Sequence, residues 1–400
     1  MITPKPIIMI LRLNQIMKVL LLHLSSVVIL IVTIVSCNKD EKLPVGPASQ
    51  GIVTCENRPV INARLVPVGS LSSGRSDLVA ASAGNKILFA AGYANGNGVD
   101  TIINDRSTRV DIYDIPTNTW STAELNMFGQ SWEIAAASVG NKILFAGGRS
   151  PLSGSASSII DIYDASTNTW SMAPLTRPRT GIAASTLGSK VFFAGGSYTT
   201  AVDIYDESTN SWTAATLSQG RSEISATTAG NKIYFAGGIA DFSGETGITG
   251  TVDIFDGSTG TWSESYLKSA RVGMAGIATG NKIFWAGGAS SNSPPSLFDR
   301  VEIRDINTDL SSFACIIPRS SPRAAIKDDN IVFFTGYGPD QRNGTHFEIY
   351  NITANTWSTC VLDQPIQGAA IISVNNTIYI AGGSSNNFPP FYDKVWKLEF

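Results

Sequence analysis

Residues 140–148 read GNKILFAGG, and residues 160–170 read IDIYDASTNTW. In the first stretch a polar Gly-Asn-Lys turn leads into an apolar run that two glycines close. A short apolar run bounded by turn residues reads as a strand covered on both faces. The paired glycines mark a place where backbones approach closely or where φ must be positive. In the second stretch the I-x-I-Y alternation is that of a pleated surface. The D-x-S-T-N segment after it is a hairpin turn, in which Asp and Asn bond their own backbone. Trp170 then opens another strand and brings a large apolar surface.

The first block recurs as GNKILFAAG (84–92), GSKVFFAGG (188–196), GNKIYFAGG (230–238) and GNKIFWAGG (280–288). Degraded copies are DNIVFFTG (329–336) and NTIYIAGG (376–383). The second block recurs at 110–120, 202–212, 252–262, 301–311 and 347–357. The 301–311 copy has Ser311 where the others have Trp, and Phe313 is expected to fill that gap. The period is near 50 residues, and each unit reads as four short strands, a to d. A β-sandwich with coincidental glycine pairs is the alternative, and the near-identity of five blocks argues against it.

This pattern resembles the kelch family over about residues 60–400. The resemblance implies an all-β fold, a seven-bladed β-propeller. The seventh unit ends at DKVWKLEF (393–400) without the turn and the Trp, while residues 63–69 precede the first unit with no a, b or c of their own. Kelch propellers close by lending an N-terminal strand to the last blade, so residues 63–69 are expected to be strand d of blade 7. Closure removes exposed sheet edges, and Pro67 suits an outer strand.

Upstream of the repeats, Lys18 precedes a nearly continuous apolar run, Val19 to Val35, as in a secretory signal. The run ends in Ile34-Val35-Ser36-Cys37, which resembles the lipobox of bacterial lipoproteins. That resemblance makes residues 1–36 a signal peptide, Cys37 the lipid-bearing N-terminus and 37–59 a tether. The expected location is the bacterial outer membrane, facing the periplasm or the cell surface, with the membrane as partner through Cys37. A plain membrane-anchoring helix is the alternative reading.

Composition narrows the function. Charged residues are 15 % and hydrophobics 43 % of the 400, which excludes strong disorder. A net charge of −3 gives no basic footprint for nucleic acid. Two His and four Cys supply neither a His-rich metal site nor a Cys₄ zinc site, and no cofactor is expected. Nucleophile-elbow and P-loop motifs are missing from the sequence.

By the kelch resemblance, the d–a and b–c loops share one face at the channel mouth, the usual ligand face. Five Arg stand in register before strand a: Arg75, Arg179, Arg221, Arg271 and Arg319. A residue repeated in every unit follows the scaffold, so these are read as bridges. Two residues further on stand Asp77, Glu133, Gly181, Glu223, Gly273, Ser321 and Gly368. Three acids among glycines suggest a lopsided, electronegative mouth. Trp132 lies beside Glu133, and Tyr93, Arg149, Tyr198 and Tyr337 follow the glycine pairs. Together with Arg221 these residues form the expected ligand site, suited to a glycan or protein partner through stacking and hydrogen bonds. An enzyme of the sialic-acid mutarotase type is the alternative, with Glu133 and Glu223 as acid–base groups and Arg221 holding an anion. With Cys37 lipidated, a Cys55–Cys360 disulfide is expected, leaving Cys315 free.

Overall fold

A computed structural model describes residues 55–94, 105–126, 133–150, 153–240, 247–292, 295–338, 341–386 and 389–400. The signal segment, Cys37, most of the tether and Trp132 lie outside the described residues. The described residues from Cys55 to Phe400 belong to one unit, in which seven sheets of four antiparallel strands form the blades and two smaller sheets lie beside them. Blade 1 consists of strand a (Val79–Ala83), b (Lys86–Ala90), c (Arg109–Asp114) and d (Thr119–Glu124). Blades 2 to 5 repeat this from their strands a, at Ala135–Val139, Ala183–Leu187, Ser225–Ala229 and Ala275–Thr279. Blades 6 and 7 start at Arg323–Lys327 and Ala370–Val374. Each strand a touches strand a of both neighbours, including blade 7 against blade 1, so the ring is closed. The chain is a seven-bladed β-propeller.

The glycine pair is the weld between blades. In blade 3 the Gly196 amide donates to the carbonyl of Arg221, which leads into blade 4, at 2.7 Å. A Cβ on Gly195 would sit 2.6 Å from that same carbonyl oxygen, and φ there is +63°. Both reasons for glycine therefore apply at one position. The same amide-to-carbonyl bond joins Gly148 to Arg179, Gly238 to Arg271, Gly288 to Arg319 and Gly383 to Arg75.

The five register Arg are buried staples, each 0 % exposed. Arg221 donates to the carbonyls of Gly237 and Thr251, both at 2.7 Å, and to the Asp253 carboxylate in strand c of its own blade. Arg75 and Asp111, Arg179 and Asp203, and Arg319 and Glu348 repeat the pair. In blade 7 both partners are replaced together, by Ile366 and Trp396, which pack in an apolar cluster. Blade 2 keeps the acid, Asp161, without the Arg; it accepts the Asn126 amide at 2.9 Å.

The tryptophans work between blades as well. Trp170 packs with Tyr163 at 5.0 Å and joins a cluster containing Leu88 and Ile112 of blade 1. Blade 5 departs from the expectation: Phe313 does not fill the missing Trp, being 49 % exposed. Arg304, in the place of the strand-c Tyr, lies 5.0 Å from the Trp285 ring and donates to Ser265 Oγ at 2.9 Å. A charged, hydrogen-bonded contact replaces the aromatic pair there.

Closure follows the expected scheme. Arg64–Ser70 pairs antiparallel with Lys394–Glu399 as strand d of blade 7. The register shifts between Pro67 and Gly69, where a side chain would strike the Trp120 ring of blade 1. Ahead of it, Val60–Asn62 adds a fifth, parallel strand to blade 6, with Ile61 opposite Cys360.

The disulfide expectation is corrected. Cys55 bonds Cys315, not Cys360. The segment ahead of Val60 passes over blade 6 to the end of strand d of blade 5 (Ser311–Cys315), where the Arg58 guanidinium donates to the Cys315 carbonyl at 2.6 Å. Cys360 points into the core instead, 0 % exposed, and burial pushes its thiol up to about 12.

Candidate functional site

Seven loop residues, one ahead of each strand a, sit around the channel with φ between +49° and +67°: Asp77, Glu133, Gly181, Glu223, Gly273, Ser321 and Gly368. Four backbone hydrogen bonds link neighbouring members. The Gly181 amide donates to the Glu133 carbonyl, Glu223 to Gly181, Ser321 to Gly273 and Asp77 to Gly368, at 2.7–3.2 Å. The left-handed region suits glycine, and an L-residue held there costs about 1–2 kcal/mol. Three of the seven positions are nonetheless carboxylates.

Above this collar opens a cavity of about 680 Å³. Asp77, Tyr93, Glu133, Arg149, Tyr198 and Glu223 all line it, so the d–a and b–c loops do meet on one face. Glu133 accepts from Arg149 Nε at 3.1 Å, and Arg149 also donates to the Gly154 carbonyl at 3.3 Å. Tyr337 leans across the blade-7 member of the collar. Its hydroxyl donates to Asp77 Oδ1, and a Cβ on Gly368 would lie 2.6 Å from that hydroxyl oxygen. Burial and then the Asp77 charge hold the Tyr337 phenol far above its usual range. Tyr198 is packed on the Ile239, Val272 and Ala289 cluster beneath the rim.

Glu223 is open to the cavity yet recessed in it. Burial, and next the neighbouring Glu133 charge, push its carboxyl above the ordinary range. Between these two acids stands Gly181, where a Cβ would come 3.8 Å from Glu223 Cγ. The absence of a side chain leaves the floor between them clear.

Arg221 does not belong to this site. Its guanidinium is buried and committed to blade 4, so the anion-holding role expected of it falls away. Besides Arg149, the cation that faces the cavity is Arg323, the first residue of strand a in blade 6. Its equivalents are Val79, Ala135, Ala183, Ser225, Ala275 and Ala370, all small or apolar. That break in the repeat is the signal that identifies it. Thr180, Ser197 and Ser222 complete the wall with hydroxyls. Among the described residues no group of three or more His, Cys, Asp or Glu is placed to hold a metal ion.

The family model described as "Kelch motif" matches residues 133–174, which span blade 2 from its collar residue into strand d. A solved structure titled "Structure of YjhT" superposes with a TM-score of 0.50 over 82 % of this chain and 94 % of that one, at 13 % identity. That likeness concerns the fold. The comparison with curated proteins returned no match. The chain is a seven-bladed β-propeller, one unit of which matches the kelch motif.

Proposed function

We propose that the protein is a binding module of the bacterial cell envelope, held to the membrane by lipid on Cys37, whose mouth cavity receives a glycan. One observation carries this reading. The collar keeps Asp77, Glu133 and Glu223 in a backbone conformation that glycine would adopt without strain, and all three reach one cavity with Tyr93 and Tyr198. Strain retained at a concave polar site points to a role for the side chains. Sugar rings stack on tyrosine faces, and their hydroxyls donate to carboxylates. The test is a glycan array followed by calorimetry on the hits. Glu133→Gln and Glu223→Gln are expected to weaken binding at least tenfold each, and unchanged affinity in both variants overturns the proposal.

A second reading, a carbohydrate-active enzyme, is favoured by the raised Glu223 carboxyl beside Glu133. Two carboxyl groups whose environments separate their protonation can act as acid and base. In anomer interconversion the protonated acid gives its proton to the ring oxygen while the base takes the anomeric hydroxyl proton. The C–O ring bond opens and recloses on the other face. Exchange measured by NMR on each array hit distinguishes the two: catalysed interconversion lost in both Gln variants supports the enzyme, and binding without interconversion supports the module.

A further inference from the structure

The charges around the mouth form two closed pairs and two open ends. Arg149 is matched by Glu133, and Asp77 by the Tyr337 hydroxyl. The Arg323 guanidinium, by contrast, makes no hydrogen bond or ion pair among the described residues, though its charge acts on the Tyr337 phenol, and the Glu223 carboxyl makes none either. Both line the same cavity, one from blade 6 and one from blade 4.

We infer that the mouth selects a bipolar ligand, carrying an anionic group for Arg323 and an ammonium group for Glu223; this rests on the glycan reading and narrows it. Arg323 is not part of the repeated scaffold, because the six equivalent positions are small or apolar. A guanidinium presents a planar fork that matches a carboxylate through two parallel bonds. Glu223 stands across the side-chain-free Gly181 from Glu133, and because Glu133 is already paired with Arg149, Glu223 is the carboxylate left for a cation. An anionic sugar leaves that corner unsatisfied, and a purely cationic one leaves Arg323 unused.

Four monosaccharides separate the contributions: muramic acid with amine and carboxylate, glucosamine with amine only, glucuronic acid with carboxylate only, and glucose with neither. Calorimetry is expected to show muramic acid binding at least tenfold tighter than glucose. Arg323→Gln is expected to bring muramic acid down to the glucosamine level while leaving glucosamine unchanged, and Arg323→Lys to recover part of the loss. Glu223→Gln is expected to bring muramic acid down to the glucuronic acid level and leave glucuronic acid unchanged. Both side chains are open to the cavity, so melting temperatures serve as the control for folding. Glucose binding as tightly as muramic acid, or either variant weakening all four sugars alike, overturns the bipolar inference and leaves the glycan reading standing. Failure of all four sugars to bind overturns the bipolar inference, and the absence of any hit on the glycan array overturns the glycan reading as well.

Discussion

Asp77, Glu133 and Glu223 hold φ of +53°, +54° and +54°, in register with Gly181, Gly273 and Gly368. A side chain in that region costs about 1–2 kcal/mol, partly offset by the greater backbone entropy that glycine loses on folding. Glu223→Gly is therefore expected to stabilise the protein by about 0.5–1 kcal/mol in chemical denaturation while weakening ligand capture. A variant less stable than the parent removes the strain argument. The identity of these acids was legible because the repeat supplies its own alignment: a column with four different residue types does not serve the scaffold alone. Their backbone strain was not legible, and neither was the fate of Arg221. Its partner Asp253 is 32 residues away in another strand, and only the folded pairing shows the charge to be spent. Arg323 was not legible because it opens a strand, outside the loops where the repeat varies most.

At the scale of the element, five of the seven blades are fastened by an Arg from the incoming loop and an acid on strand c. Removing one member of a buried pair leaves the other charge uncompensated, which costs about 3–5 kcal/mol. Asp203→Asn is expected to lose about 3 kcal/mol, because Arg179 stays buried. Asp161→Asn in blade 2 is expected to lose less than about 1 kcal/mol, because only the Asn126 amide contact weakens. Equal losses for the two substitutions would contradict the staple. The pH dependence differs as well. Burial raises the Asp161 carboxyl above its unfolded value. The folded state then binds the proton more tightly, and its handicap is absent below the unfolded pKa and grows as pH rises to the folded one. Thermal melts of Asp161→Asn against the parent are expected to improve, relative to the parent, as pH rises through that window. Strand order and the Trp hairpins were readable from spacing, since pleat and turn chemistry are local. The blade-5 substitution of Arg304 for an aromatic was not, because its partner Trp285 lies on another strand.

At the scale of the molecule, the N-terminal segment spans three blades: the Cys55 bond to blade 5, the Val60–Asn62 strand on blade 6 and the Arg64–Ser70 strand in blade 7. A bond across a separation of 260 residues removes much freedom from the unfolded chain, worth about 2–5 kcal/mol. Cys55→Ser with Cys315→Ser is expected to lower the melting temperature and to leave Cys360 unreactive to thiol reagents until unfolding. Rapid alkylation of Cys360 in the folded variant would show that it is not sealed by the blade-6 core. The sealing strand was legible by counting strands. The disulfide was not, because the choice between two cysteines depended on how far the segment travels around the rim.

The seal also sets an order of events. Strand Arg64–Ser70 leaves the ribosome early, yet its side-chain partners on the facing strand lie 324 and 335 residues further along. Until then the nascent wheel has one exposed seam, and the waiting strand is a ready match for the same seam on a neighbouring copy. Crowded synthesis of this protein therefore favours exchanged, interlocked assemblies, and slowing its production is the direct way to obtain single closed rings.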